Sequence, residues 1–215
     1  MLYLRQVNCP HQVVVADSSS ARGRDSNSTV IASVQDHLNI EHQLHDPETG
    51  FFPKIARALG KTDSKYSVIC ADDDFLVPGT VEECARFLEH NPDYAAARGL
   101  ILSIYPSNIA PSISKLWTHR LSQHTIDNAD PSQRLHEHLR EYEATFYSVY
   151  RRTQLMRNME LASKRTRDYR FGELLLSCLG IIQGKLKHLN MLHGIRPYNP
   201  DSTTGSHPSW TRPSK

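Results

Sequence analysis

Three consecutive aspartates are the residues of this sequence with the clearest capacity for chemistry. Asp72, Asp73 and Asp74 directly follow an apolar run, residues 66–71, which has the composition of a buried strand. Adjacent carboxylates raise one another's pKa unless a cation or hydrogen bonds relieve their repulsion. Mg²⁺ and Mn²⁺ relieve it well, because they prefer oxygen ligands and keep positions for phosphate oxygens. The run therefore indicates a divalent-cation site beside a phosphate-bearing ligand.

The direction of the three carboxylates depends on the local backbone. Along an extended chain, Asp72 and Asp74 point to one side and Asp73 to the other, so one pair can face a crevice together. The alternative for three aspartates alone is a solvated acidic turn before a helix. Calcium-loop and phosphatase-type aspartate patterns fit less well, since Leu76 stands where each pattern needs another residue type.

A second acidic residue, Asp17, also follows a short apolar run. Residues 12–16 read QVVVA, a β-branched composition that is typical of a strand buried on both faces. Strand-like and helix-like segments alternate over the first 105 residues, which predicts an α/β fold with a mostly parallel, Rossmann-like sheet flanked by helices. Ligands of such sheets bind at the carboxyl ends of the strands. Asp17 and the three aspartates are both predicted to lie there.

The spacing of apolar residues places further elements around these strands. Residues 51–59 have a helical spacing and end at Gly60. Thr80 and Glu83 form a capping-box pattern, which predicts that a helix begins there and continues to residue 90. Residues 94–97 and 100–105 are predicted strands, and residues 29–34 fit a strand or a helix start. In the second half we expect helices over residues 135–151 and 170–179, a strand over residues 187–192, an irregular insertion or lid over residues 106–131, and a loop or tail from residue 194.

Composition excludes several classes of protein. The chain has 215 residues, 39% of them hydrophobic, and a formal net charge of only +2, which argues against binding driven by nucleic-acid phosphates. No apolar run approaches the roughly 20 residues that a membrane-spanning helix needs, so we expect a soluble, cytoplasmic protein without a transmembrane segment. The four cysteines form no CxxC pair, and Cys70 and Cys84 are predicted core thiols. Most of the 12 histidines are expected at the surface.

Four ordered segments resemble a known family. The run VVVADSS at residues 13–19 and the run YSVICADDDFLVP at residues 66–78 look like a GT-A fold glycosyltransferase of the large family-two class. They are most similar to a bacterial subgroup with a DDDF form of the DxD motif. FYSVYRR at residues 146–152 and FGELLLS at residues 171–177 are similar to two further segments of that subgroup. The resemblance covers residues 1–197.

The resemblance implies a nucleotide-sugar site in the first half of the chain. Asp17 matches the aspartate that contacts the nucleotide base or ribose. Asp72 and Asp74 match the DxD aspartates that bind the donor ribose and a Mn²⁺ or Mg²⁺ ion, with Asp73 beside them in the donor site. Lys54 is a loose match to a basic residue that faces the nucleotide, and Arg57 competes with it for this role.

The resemblance also implies an acceptor side in the second half. Glu173 is the candidate catalytic base, although it could be an ordinary glutamate near a helix start. His193 is a candidate third metal ligand, although an unligated surface histidine is the alternative. Four aromatic residues could stack on sugars or belong to the core: Trp117, Tyr142, Phe146 and Tyr147. The implied partners are a nucleotide-sugar donor and a glycan or lipid-linked acceptor, and nothing in the sequence fixes the oligomeric state.

The domain boundaries follow from this reading. Residues 1–105 form the nucleotide-sugar-binding half, residues 106–193 the acceptor-side half of the same domain, and residues 194–215 a tail. The family's first strand, with its IPTYNR-like sequence, has no match, and residues 1–7 look like the end of the helix that follows it. Three hypotheses therefore stand: a metal-dependent, inverting glycosyltransferase, a catalytically inactive relative that binds a partner, and a nucleotidyltransferase on a similar sheet.

Overall fold

The structure, a computed structural model, describes residues 1–105, 117–120 and 124–197. The first part of the chain contains, in order, α1 (Leu2–Gln6), β1 (Val13–Asp17), α2 (Ala21–Ala32), β2 (Ile40–Leu44), α3 (Phe51–Gly60), β3 (Tyr66–Ser67), β4 (Phe75–Leu76) and α4 (Pro78–His90). The second part contains β5 (Tyr94–Tyr105), β6 (Trp117–Arg120), α5 (Pro131–Arg140), β7 (Val149–Arg151), α6 (Arg152–Arg165), α7 (Tyr169–Gln183) and β8 (Lys185–Pro197).

The strands form two sheets. A six-stranded sheet has the order β3-β7-β5-β8-β4, with β6 also paired to β5, and a separate two-stranded sheet joins β1 to β2. The long strands β5 and β8 are parallel, as are β1 and β2, whereas the short strands β3, β4, β6 and β7 pair antiparallel. The predicted α/β class is confirmed. The sheet is mixed, because the short strands add to the parallel β5–β8 pair in the opposite direction.

The main hydrophobic core lies where three helices pack together beside β5. Helix α3 buries Phe52, Ala56 and Leu59, and α6 and α7 supply much of the rest of the cluster. Gly172 of α7 lies against the Phe52 ring, and a Cβ atom at this position would sit 2.1 Å from the ring. Glycine therefore permits the close approach of α7 to α3, which places the first turns of α7 near the sheet.

Several predicted elements are confirmed. A strand does end at Asp17, a helix does cover residues 51–59, and helix α7 contains residues 170–179. Strand β8 contains residues 187–192 and continues to Pro197, so residues 194–197 belong to the sheet and not to a tail. Residues 94–97 and 100–105 form one strand, β5, whose pairing with β8 shifts register on both sides of Gly99.

Other predicted elements are wrong, each because a tertiary contact decides the local structure. Only Tyr66 and Ser67 of residues 66–71 find strand partners, in β7. The predicted helix over residues 135–151 ends at Arg140, since residues 149–151 pair as β7. Thr80 caps no helix: α4 begins at Pro78, and the Thr80 hydroxyl donates a hydrogen bond to the Leu192 carbonyl, 2.6 Å away.

Three predicted segments were left undecided or lie partly outside the described residues. Residues 29–34 were predicted as a strand or a helix start, and residues 29–32 form the last turn of helix α2. Most of the predicted lid over residues 106–131 lies outside the described residues. The tail beyond residue 197 also lies outside them. No helix in the described part of the chain is both long and apolar enough to cross a bilayer.

The burial of the cysteines and histidines agrees only in part with the prediction. All four cysteines are described and unbonded; Cys84 is buried as predicted, but Cys70 is exposed because the chain leaves the sheet after Ser67. His138 is buried and His136 is exposed, which confirms that they lie on different faces of one helix. His193 is completely buried, so it is not a surface histidine.

Candidate functional site

Asp17 lies at the end of β1, and three nitrogen atoms of neighbouring residues contact its carboxylate. Its Oδ1 accepts a hydrogen bond from the Ser19 amide at 2.8 Å. Its Oδ2 accepts one from Asn27 Nδ2 at 3.0 Å and contacts His42 Nε2 at 2.9 Å. These four residues are called the Asp17 cluster below. All of them lie in the unit built from β1, α2 and β2.

The Asp17 carboxylate faces the interior of this unit. Its side chain is only 1% exposed. Burial raises its pKa, but hydrogen bonds from Asn27 and Ser19 outweigh that effect and hold the pKa well below its usual range. Both oxygens already accept hydrogen bonds from the protein, so Asp17 has no open face for a nucleotide. In this arrangement it organises the loop that carries Ser18 and Ser19.

Basic side chains surround the same end of the two-stranded sheet. Lys54 Nζ donates a hydrogen bond to Ser18 Oγ at 2.9 Å, so α3 delivers this predicted residue beside Asp17. The competitor Arg57 is exposed on the same helix. Arg24 Nε donates to the Ser19 carbonyl at 3.0 Å. Burial, and then the charges of Lys61, Lys54 and Arg57, lower the pKa of the buried His45. This surface can attract an anionic ligand such as a diphosphate.

The three aspartates form a turn and not an extended segment. The Asp74 amide donates to the Ala71 carbonyl at 3.3 Å, which closes the turn. Asp72 and Asp73 are exposed at its tip, whereas the Asp74 side chain is 5% exposed. The predicted pairing of Asp72 and Asp74 by strand alternation is therefore wrong, because the strand has already ended.

Asp74 is bound by two residues from the second half of the chain. The Tyr147 hydroxyl donates a hydrogen bond to Asp74 Oδ2. Arg196 Nε lies 3.3 Å from the same oxygen, and the guanidinium lies over the Tyr147 ring, 5.0 Å from its centre. These three residues are called the Asp74 cluster. Burial, reinforced by Asp74, raises the pKa of the Tyr147 hydroxyl far above its usual value, although Arg196 opposes the shift.

Glu173 lies one turn inside α7, after an N-cap formed by Asp168. It lines a small, mostly apolar cavity together with Ile69, Phe146 and Ser177. Burial raises the pKa of Glu173, and the charge of Arg196 partly opposes that shift. Arg196 therefore acts electrostatically on Glu173 as well as forming the ion pair with Asp74.

His193 is held against the backbone of Tyr147. Its ring is fully buried, and Nε2 lies 2.7 Å from the Tyr147 carbonyl oxygen. Burial lowers the pKa of His193. The other nitrogen, Nδ1, is buried without a hydrogen-bond partner among the described residues. His193 therefore supports the backbone of Tyr147, the residue whose hydroxyl binds Asp74.

The donor set fits only one kind of metal site. Within the described ranges, no group of three or more His, Cys, Asp or Glu side chains is arranged to hold a metal ion. A Mg²⁺ or Mn²⁺ ion shared with substrate phosphates needs only one or two carboxylates from the protein. Asp74, with Asp72 in the same turn, can supply them. A metal centre made by protein ligands alone does not fit.

Aromatic side chains pack around Phe146, which lines the same cavity as Glu173. Phe51 packs against Phe146 and Tyr169, with ring centres 5.5 and 5.3 Å apart. Tyr142 is 41% exposed, whereas Tyr147 is buried in the Asp74 cluster. Phe146 and Tyr147 are therefore mainly packing residues, and Tyr142 and Tyr169 are the exposed rings. The side chain of Trp117 lies outside the described residues.

Sequence reasoning missed several residues of both clusters. Asn27 and His42 had no assigned role, Tyr147 was considered only for stacking, and Arg196 fell within the predicted tail. The polar residues after the first strand were a usable signal for the Asp17 cluster. For Arg196, the only signal would have been continuation of the last strand beyond Gly194.

The fold is shared with solved structures of TarS from S. aureus. TarS residues 1–349 with UDP-GlcNAc has a TM-score of 0.61 and 13% identity, over 95% of this chain and 56% of that one. The same TarS fragment with UDP has a TM-score of 0.58 and 15% identity, over 92% and 56%. A longer TarS structure has a TM-score of 0.57 and 15% identity, over 92% and 34%.

These comparisons establish the fold and its extent. The chain has the α/β fold of TarS and spans about half the length of the TarS 1–349 fragment that it matches. No model of a known protein family matches the sequence. No curated protein matches it either.

Proposed function

We propose that this chain carries the catalytic part of a glycosyltransferase, which moves a sugar from a UDP-sugar to a hydroxyl of a glycan or lipid-linked acceptor. The observation that carries the proposal is the pairing of the nearly buried Asp74 with Arg196, on a fold shared with structures that hold UDP and UDP-GlcNAc. The charge of Arg196 also lowers the pKa of Glu173, against the effect of burial, which supports a place for Glu173 in the same region. Basic side chains beside Ser18 and Lys54 provide the anion-attracting surface that a nucleotide diphosphate needs.

Each residue has a role in the proposed reaction. Glu173 accepts the proton of the acceptor hydroxyl as its oxygen attacks the anomeric carbon of the donor sugar. The bond from that carbon to the diphosphate oxygen breaks, and UDP leaves with the electron pair. A single displacement of this kind inverts the anomeric configuration. Burial raises the pKa of Glu173, which makes it a stronger base than an exposed glutamate.

The metal requirement is part of the same proposal. Asp74 and Asp72 would hold a Mn²⁺ or Mg²⁺ ion, which would supply positive charge to the departing diphosphate. Lys54 would contact the nucleotide directly, and Asp17 would act as a positioning residue for Ser18 and Ser19. His193 would support Tyr147 from behind and would not bind the ion.

The second candidate is a catalytically inactive relative that only binds a nucleotide or a partner. Two observations favour it: Asp17 is 1% exposed, and the buried oxygen of Asp74 is already bound by Tyr147 and Arg196. Both candidates predict a folded protein with the same core. They differ in whether the protein transfers the sugar of a bound UDP-sugar, with Glu173 as the base, or only binds its ligand.

Turnover of UDP-sugars separates the candidates. The chain is incubated with Mn²⁺ and a panel of UDP-sugars, with water as the acceptor hydroxyl, and released UDP and free sugar are quantified. A parallel incubation contains UTP and a sugar 1-phosphate, and released pyrophosphate is quantified. Enzymatic UDP release that is lost in Glu173→Gln supports the glycosyltransferase. Pyrophosphate release would point to a nucleotidyltransferase. Binding of UDP without any turnover would favour the inactive relative. Glu160→Gln, on the neighbouring helix α6, is the matched control.

A further inference from the structure

Arg196 is the positive partner of the most buried carboxylate in the aspartate turn. It lies near the end of β8, and its side chain is 37% exposed, although Nε itself is buried and makes no hydrogen bond within the described residues. Among the described residues, only the Nε side of the group forms an ion pair, with Asp74. Because an arginine carries five N–H donors in a planar fork, this contact leaves donors that suit a phosphate group.

Asp74 needs such a partner. A carboxylate that is 5% exposed loses most of its hydration, and an unpaired buried charge is strongly unfavourable. Tyr147 donates a hydrogen bond but brings no charge. Asp72 and Asp73 are exposed, so water and salt can compensate their charges. Arg196 is therefore the cation that compensates the charge of Asp74 in this structure.

A divalent ion at Asp74 would compete with that ion pair. The ion and the guanidinium are both positive, and both would approach the same carboxylate at contact distance. Their repulsion at short range in a partly buried site exceeds what the same charges experience in water. The Tyr147 ring, under the guanidinium at 5.0 Å, favours a position of Arg196 beside the carboxylate even when the ion pair opens.

On the basis of the proposed function, we propose that Arg196 is an exchangeable counter-ion of Asp74. It occupies the carboxylate while no metal is bound, gives up the ion pair when Mn²⁺ or Mg²⁺ binds, and then contacts the donor diphosphate with its guanidinium. Arg196 thus weakens metal binding by the empty site and strengthens binding of the nucleotide diphosphate. No covalent bond changes in this exchange.

The inference predicts opposite effects of one substitution. In Arg196→Met, Mn²⁺ should bind about fivefold more tightly in the absence of nucleotide, because a competing half-exposed charge is gone. The same variant should bind UDP about tenfold more weakly in saturating Mn²⁺, because a charge-assisted hydrogen bond to phosphate is lost. Arg196→Lys, which keeps the charge, should restore Mn²⁺ affinity towards the wild-type value.

The experiment has two separate readouts. Free Mn²⁺ is measured by electron paramagnetic resonance during titration of each protein, and UDP binding is measured by calorimetry in saturating Mn²⁺. Arg86→Met is the matched control, because Arg86 is an exposed arginine on α4 that pairs with Glu82 and Glu83. Far-ultraviolet circular dichroism checks that each variant is folded. If Arg196→Met does not fold, Arg196→Gln carries the same test.

Failure of this inference differs from failure of the proposed function. Unchanged or weaker Mn²⁺ binding by Arg196→Met overturns the exchange, even if the wild-type chain binds UDP and releases it from a UDP-sugar. Conversely, a wild-type chain that shows no UDP binding contradicts the proposed function. The Mn²⁺ titration without nucleotide still decides whether Arg196 competes at Asp74.

Discussion

The Asp17 cluster and the Asp74 cluster solve the same problem in different ways. Each contains a nearly buried carboxylate at one end of a short strand, Asp17 as the last residue of β1 and Asp74 just before β4, where its charge must be compensated. Asp17 is held by neighbours in its own β–α–β unit, and its oxygens are fully used. Asp74 is held by Tyr147 and Arg196, which come from distant parts of the chain, and one of these partners is half exposed.

Under the proposed function, this difference separates a carboxylate that stabilises a loop, Asp17, from one that takes part in ligand binding, Asp74. A carboxylate saturated by neutral or local donors stabilises its loop and offers nothing to a ligand. A carboxylate paired with an exposed arginine can exchange partners. Substitutions should therefore affect stability most at Asp17, but ligand binding or turnover most around Asp74, Arg196 and Glu173.

The largest expected effect is on turnover, at Glu173. Glu173→Gln should lower the rate of UDP release at least a hundredfold, because a general base typically contributes 10²- to 10⁴-fold. UDP affinity should stay within about twofold in calorimetry, since the proposed role of Glu173 is to accept a proton from the acceptor hydroxyl and not to bind the donor. A parallel loss of UDP affinity would show that Glu173 belongs to donor binding instead.

The pH dependence of wild-type turnover tests the same residue. The base must be ionised, and burial raises its pKa above the ordinary value of 4.5. The rate should therefore fall as the pH decreases, beginning at a higher pH than an exposed glutamate would give. A rate that stays constant down to pH 4.5 would contradict the assignment.

The next effect is on stability, at Asp17. Asp17→Asn should lower the free energy of unfolding by about 2 kcal/mol at pH 7, because hydrogen bonds to a charged group are lost. The native pKa of Asp17 is lowered, so its contribution is complete above the unfolded-state value near 3.8 and disappears as the pH falls towards the native pKa. Urea titrations at pH 7 and pH 3 should show the difference between wild type and variant shrinking at pH 3. An equal difference at both pH values would contradict this.

A smaller stability effect is expected at Tyr147. Tyr147→Phe keeps the ring under Arg196 but removes the hydrogen bond to Asp74, which should cost about 1.5 kcal/mol in urea titrations at pH 7. Tyr142→Phe, which changes an exposed ring in the same segment, is the control and should change stability little. Equal losses of unfolding free energy in the two variants would show that the hydrogen bond from Tyr147 to Asp74 does not contribute the predicted stability.

The smallest effect is expected at Lys54, beside the Asp17 cluster. Lys54→Met should weaken UDP binding about fivefold through loss of one cation near the diphosphate, while Mn²⁺ binding without nucleotide stays unchanged. Arg57→Met, one turn away and exposed, should change neither quantity by more than about twofold. If Arg57→Met weakened UDP binding more than Lys54→Met, Arg57 and not Lys54 would be the cation that contacts the diphosphate.

The sequence predicted the local features and failed on the distant ones for a physical reason. The strand before Asp17 and the helix over residues 51–59 depend on composition and periodicity within a few residues, and both are confirmed. The strand predicted over residues 66–71 is wrong after Ser67, because pairing depends on β7, far along the chain. The prediction that Thr80 caps a helix is also wrong, because the Thr80 hydroxyl donates its hydrogen bond to the Leu192 carbonyl in β8.

The candidate site follows the same rule. Asp74 could be singled out from its neighbours in sequence, and Glu173 from a resemblance, but Arg196, the ion-pair partner of Asp74, could not. The relation between them exists only after β8 pairs with β4 and β5 and brings residue 196 beside residue 74. His193, which sequence reasoning made a metal ligand, is buried by the same pairing.

The central claim is that Asp74 belongs to a metal-dependent nucleotide-diphosphate site. The most direct measurement is calorimetric titration of UDP into the wild-type chain with Mn²⁺ and again with EDTA, alongside Asp74→Asn and the exposed-residue control Asp36→Asn. The account predicts binding with Mn²⁺ that EDTA abolishes, loss of that binding in Asp74→Asn, and its retention in Asp36→Asn. Binding of UDP by folded Asp74→Asn with wild-type affinity would contradict it.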